Sequence, residues 1–105
     1  MIKKYNKLVR DKIPEIIQAK GDTCKTEILS DEAYIKLLDR KLNEEVAEYQ
    51  TGKNIEELAD ILEVVYGIAK AKGYGVSELE QIRLEKAEKR GGFDKKILLV
   101  EVNEK

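Results

Sequence analysis

The sequence has no histidine, a single cysteine (Cys24) and a single proline (Pro14). Without histidine there is no Ser-His or Cys-His nucleophile pair, no His-ligated zinc and no Glu-x-x-His di-iron motif. A lone cysteine forbids an internal disulfide and fits a reducing cytoplasm. Neither sign of charge is in excess, with 20 basic and 21 acidic residues, so nothing marks a nucleic-acid surface. No apolar run is long enough to span a membrane. Lys3 and Lys4 are not followed by an apolar stretch, so no signal peptide is expected.

What is present suits a folded chain. Hydrophobic residues make up 42% and charged residues 39% of 105 positions, which argues against disorder and leaves room for one core. A single domain over residues 1–105 is expected. Pro14 suits a first helical turn and Gly21 a helix stop, giving a short helix. A long helix follows from Asp31 to about Thr51, with acids in its first turn and Gly52 after it. A second starts at Asn54, a good N-cap, and runs to about Lys72. A third opens with the capping pattern Ser77-Glu78-Leu79-Glu80 and ends at Gly91-Gly92. Residues 23–29 and 96–102 read as two short strands that pair into a small β ribbon. From Leu58 to Ala69 only Asp60 and Glu63 are charged. A helix apolar around most of its girth needs cover on more than one side. With few other elements to supply it, a mainly α bundle completed by dimerisation, or by a higher homo-oligomer, is expected.

Two acidic clusters break this apolar pattern: Glu44-Glu45-Val46-Ala47-Glu48 and Glu57-Leu58-Ala59-Asp60. At about 100° per residue, Tyr34, Ile35, Leu38, Leu42, Val46 and Tyr49 form one arc. Glu45 projects near the centre of that arc and Glu48 at its edge. On the next helix Leu58, Ile61, Leu62, Val65, Ile68 and Ala69 form a stripe flanked by Glu57 and Asp60. Packing these helices together crowds four carboxylates, which repel one another unless cations fill the space. Magnesium prefers such oxygen ligands, and manganese can replace it. Blander roles stand beside this one. Glu57 fits the third position of a capping box begun by Asn54, Glu44 projects outward into solvent, and Glu45 and Glu48 can pair with Lys41.

The third long helix carries the complementary charge. Leu79 and Ile82 set its inner face, Lys86 continues it, and Arg90 lies one turn further on. Lys86 and Arg90 can cradle a phosphate chain, and Lys53, just before the second acidic helix, can reach the same anion. Arg83 and Lys89 read as solvated residues near a helix C-terminus.

Glu44-Glu45-x-x-Glu48 followed by Glu57-x-x-Asp60 resembles the signature of the all-α nucleoside triphosphate pyrophosphohydrolases, the MazG-like superfamily. The head Lys7-Leu8-Val9-Arg10-Asp11-Lys12-Ile13-Pro14 and the tail Arg90-Gly91-Gly92-Phe93 resemble a small stand-alone subgroup called phosphoribosyl-ATP pyrophosphohydrolase-like. The resemblance runs from Tyr5 to about Val100. It implies a MazG-like helical bundle with Glu45, Glu48, Glu57 and Asp60 as metal ligands and Glu44 as the adjacent acid. It also places Lys53, Lys86 and Arg90 where such enzymes hold phosphates. One departure is the spacing, since only eight residues separate Glu48 from Glu57, fewer than is usual in the superfamily. The implied reaction is magnesium-dependent hydrolysis of a nucleoside triphosphate between the α and β phosphates, with Glu44 or Glu45 taking the proton of the attacking water. A house-cleaning role against non-standard or surplus nucleotides is expected. The alternatives are the phosphoribosyl-ATP step of histidine biosynthesis and a non-catalytic nucleotide-binding helical dimer.

Overall fold

A computed structural model describes all 105 residues, and every regular element in it is helical. Helix α1 spans Ile13–Ala19, α2 Asp31–Gly52, α3 Ile55–Ala71 and α4 Val76–Arg90. Pro14 occupies the first turn of α1, where its missing N–H costs nothing. The Ser30 hydroxyl accepts the backbone N–H of Ala33 at 3.2 Å and starts α2. Lys53 ends that helix in the left-handed region, φ 58°, and its N–H reaches the Tyr49 carbonyl at 2.8 Å. One residue later Asn54 caps α3, its side-chain oxygen accepting the Glu57 N–H at 3.0 Å. The connection is thus only two residues long, and α2 and α3 form a hairpin.

Two sequence expectations are corrected here. Helix α4 starts at Val76, with Gly75 rather than Ser77 at its N-cap. Glu78 sets this start by accepting the Gly75 N–H at 3.3 Å. Residues 23–29 and 96–102 form no strand. A two-stranded ribbon has little stability unless one face packs on something. Here Ile97, Leu98, Leu99 and Val100 remain exposed.

Within one chain, α3 packs on α2 and on α4, and α1 packs on no other helix. Gly67 lets α2 and α3 approach closely, since a Cβ there would lie 3.3 Å from Leu38 Cδ2. Leu38 and Val64 are the only buried apolar residues. Both belong to this seam, whereas Ile55, Leu58 and Leu62 lie on the opposite side of α3 and are exposed. The chain is extended, with a radius of gyration of 18.7 Å against about 13 Å for a compact domain of this size. Its accessible surface is 10082 Å², where a compact 12.0 kDa protein would expose about 6,000 Å². No helix is long and apolar enough to cross a membrane.

Candidate metal centre

The α2–α3 seam changes character along its length. Near Leu38, Val64 and Gly67 it is apolar; nearer the turn it is lined by acids. On α2 the spacing Leu38, Lys41, Glu45, Glu48, Gly52 follows one side of the helix, and on α3 the spacing Gly67, Val64, Asp60, Glu57 follows the facing side. Glu45 is 7% exposed, the only charged residue in the interior. Val46, expected beside it in the apolar arc, is 39% exposed, so the hairpin seats the acid in preference to the valine.

Glu45 is incompletely satisfied. The Lys41 ammonium lies 3.3 Å from Oε1 and 3.9 Å from Glu44 Oε2, while Glu45 Oε2 is buried without a hydrogen-bond partner. Burial pushes the Glu45 carboxyl above its ordinary value; Lys41 opposes the shift, and the neighbouring Glu48 carboxylate adds to it. Glu57 is in a similar position. Its backbone N–H is used by the Asn54 cap, but its carboxylate does not complete a capping box: Oε2 is buried and unpartnered. That carboxylate lies over the α-carbon of Gly52, where a Cβ would come within 2.7 Å of Glu57 Cδ. Asp60 is engaged from the head of the chain, Arg10 Nη2 donating to Oδ1 at 2.7 Å.

Two grooves open along the acidic part of the seam. One of about 270 Å³ is lined by Val9, Arg10, Ile13, Lys41, Glu45, Glu48 and Asp60. The other, about 330 Å³, is lined by Ala47, Glu48, Thr51, Gly52 and Glu57. Glu48 borders both, and between them the two grooves are lined by all four expected ligands. No three acids converge on a single point as placed. The donor set nevertheless suits a hard cation. All four ligands are carboxylates, and two of them hold buried oxygens with no partner, a costly arrangement that a divalent ion relieves.

The expected phosphate ligands lie elsewhere within one chain. Lys53 folds back on α2, donating to Gln50 Oε1 at 2.6 Å and resting 5.4 Å from the centre of the Tyr49 ring. Lys86 and Arg90 are exposed on α4, which touches α3 alone, and they line neither groove. Arg83 is paired with Glu80 on the solvated side of α4. The cations that do reach the acids are Lys41 and Arg10. Lys41 could be found by its i,i+4 spacing from Glu45. Arg10 is 50 positions from Asp60, and no periodicity links them.

No family model matches the chain. No solved structure matches it. A protein of Mycolicibacterium smegmatis, described as an uncharacterized protein, is 58% identical over 41 residues, covering 39% of this chain and 42% of that relative. The matched stretch is therefore less than half of either protein.

Proposed function

We propose that the chain is a magnesium-dependent nucleoside triphosphate pyrophosphohydrolase, acting as a homodimer or larger homo-oligomer in the cytoplasm on non-standard or surplus nucleotides. One observation carries this reading: Glu45 is buried in a groove with Glu48 and Asp60, and one of its oxygens has no partner. A carboxylate kept that way at a cost to folding is better suited to a ligand than to the fold. The MazG-like acid signature, Glu44-Glu45-x-x-Glu48 with Glu57-x-x-Asp60, gives the reading its substrate class.

Glu45, Glu48, Glu57 and Asp60 would hold the cation. When bound, magnesium supplies positive charge to the phosphate oxygens and polarises water. Water adds across the α–β anhydride, yielding monophosphate, pyrophosphate and one proton. Glu44 or Glu45 accepts that proton. Lys41 fixes the Glu45 carboxylate through Oε1. Lys53, Lys86 and Arg90 are proposed to neutralise the leaving pyrophosphate. Because Lys86 and Arg90 are remote from the acids of their own chain, a second copy would have to bring them.

The Arg10–Asp60 and Lys41–Glu45 pairs favour one rival, a non-catalytic nucleotide-binding dimer in which the acids serve an ion-pair network. A panel of nucleoside triphosphates and phosphoribosyl-ATP, assayed for pyrophosphate with and without magnesium, decides among these readings. Magnesium-dependent release from a triphosphate is expected. Release from phosphoribosyl-ATP alone selects the histidine-pathway step, and nucleotide binding with no release from any substrate selects the binder.

Gly52 provides a separate check on Glu57. Gly52→Ala places a methyl group where the Glu57 carboxylate now lies. That carboxylate is the free end of a flexible side chain and swings aside, so helix content and Tm change little. Manganese affinity is expected to fall about tenfold, as when a group that orients a metal ligand is lost. Unchanged affinity, read from the paramagnetic resonance of free manganese, removes Glu57 from the ligand set.

A further inference from the structure

The head of the chain contributes to the acidic groove, although its role is not apparent from the helical pattern. Val9, Arg10 and Ile13 line it together with Lys41, Glu45, Glu48 and Asp60. Helix α1 packs on no other helix, so the Arg10–Asp60 bond at 2.7 Å is the polar tether holding this segment over the seam. The tether uses one guanidinium nitrogen, and the Arg10 side chain makes no other hydrogen bond. The remaining N–H groups of its planar fork are therefore unused beside a groove that also holds the Lys41 ammonium. Both side chains of the pair are substantially exposed, 58% and 43%, and exposed pairs exchange partners readily. In the same groove, Glu45 is more than nine-tenths buried with an unpartnered oxygen. The groove thus holds a buried carboxylate oxygen without a partner and, with it, guanidinium donors that are unused. A divalent cation bound together with a phosphate chain satisfies both.

We infer that Arg10 is a phosphate-binding residue of this site, resting on Asp60 in the ion-free chain and turning to the phosphate chain when a divalent cation takes that carboxylate. The inference rests on the pyrophosphohydrolase reading and adds to it a ligand from the head segment. It makes Arg10 a competitor of the metal before loading and a partner of the substrate after it.

The test measures manganese binding by paramagnetic resonance and binding of inorganic tripolyphosphate by calorimetry in saturating magnesium, on the full chain. Arg10→Ala is expected to bind manganese severalfold more tightly, because Asp60 is no longer occupied. It should bind tripolyphosphate at least about tenfold more weakly, because a forked charge-assisted contact is gone. Arg10→Lys keeps a cation for Asp60 but lacks the fork, so its manganese affinity stays near wild type while tripolyphosphate binding weakens. If Arg10→Ala proves unfolded by circular dichroism, Arg10→Lys decides alone, and undiminished tripolyphosphate binding overturns the assignment. Both affinities unchanged in Arg10→Ala, with wild type still releasing pyrophosphate, would make the head a structural strap and leave the enzyme reading intact. A wild-type protein that binds no manganese overturns the enzyme reading first and the role of Arg10 with it.

Discussion

Glu45→Gln and Asp60→Asn are each expected to lower kcat for pyrophosphate release by about a hundredfold or more at saturating nucleotide. Each substitution preserves shape while removing a negative charge from the groove and exchanging one acceptor oxygen for an NH2 donor. Saturating nucleotide separates this effect from weakened substrate binding, because an interaction needed in the transition state lowers kcat itself. Arg83→Ala is the control: it pairs with Glu80 on its own helix and lines neither groove, and its activity should match wild type. Glu45→Gln also carries a stability signature. Burial raises the Glu45 carboxyl above its ordinary value, so the folded chain keeps this proton to higher pH than the unfolded chain. The stability linked to that proton is complete below the ordinary carboxylate range and is lost as pH rises through the raised value. Ion-free wild type should therefore lose Tm as pH rises above the ordinary carboxylate range, and Glu45→Gln should lose less. Full activity in Glu45→Gln and Asp60→Asn, with Arg83→Ala inactive, would overturn the placement of the site.

Leu62→Asp is expected to abolish assembly. Leu62 lies with Ile55 and Leu58 on the side of α3 turned away from α2, so the substitution does not enter the hairpin seam. The chain exposes about 4,000 Å² more than a compact protein of its mass, more than enough for one subunit's share of an obligate interface. An uncompensated charge buried in such an interface costs about 3–5 kcal/mol, much of the stability of a small protein. Sedimentation at low micromolar concentration should show wild type as a dimer or larger, and Leu62→Asp as a monomer or an unfolded chain. A folded, active wild-type monomer would refute assembly through this face.

Local signals in the sequence locate the helices because caps and stops are local chemistry. Asn54 caps α3 through its own side chain, and the acids Asp31 and Glu32 do mark the first turn of α2. Glycine conformations were harder to read. Gly75 rather than Ser77 caps α4, since extended backbone plus the Glu78 carboxylate suffices there. The apolar stripe assigned to α3 merged two faces. Leu58 and Leu62 belong to the exposed side, while Val64 and Gly67, absent from that stripe, make the contact with α2. A helix apolar nearly all round has no single direction to reveal which side meets its neighbour. Gly67 contributes through the absence of a side chain, which no hydrophobic pattern registers. Glu45 was legible because it interrupts a regular period. Arg10 was not, because its contact with Asp60 depends on the path of an irregular segment.

The two-residue connection at Lys53 and Asn54 has a consequence for how the acidic grooves are assembled. Only eight residues separate Glu48 from Glu57 in sequence, so closing the turn brings them together at small chain-entropy cost. Such local closures belong to the fast events of folding. Closing this one sets like charges near one another, and their mutual repulsion opposes the very turn that joins them. On the proposed metal-binding reading, a divalent ion would relieve that repulsion as the turn forms. The same charge that serves the finished protein would then act earlier, as a template on which the hairpin closes.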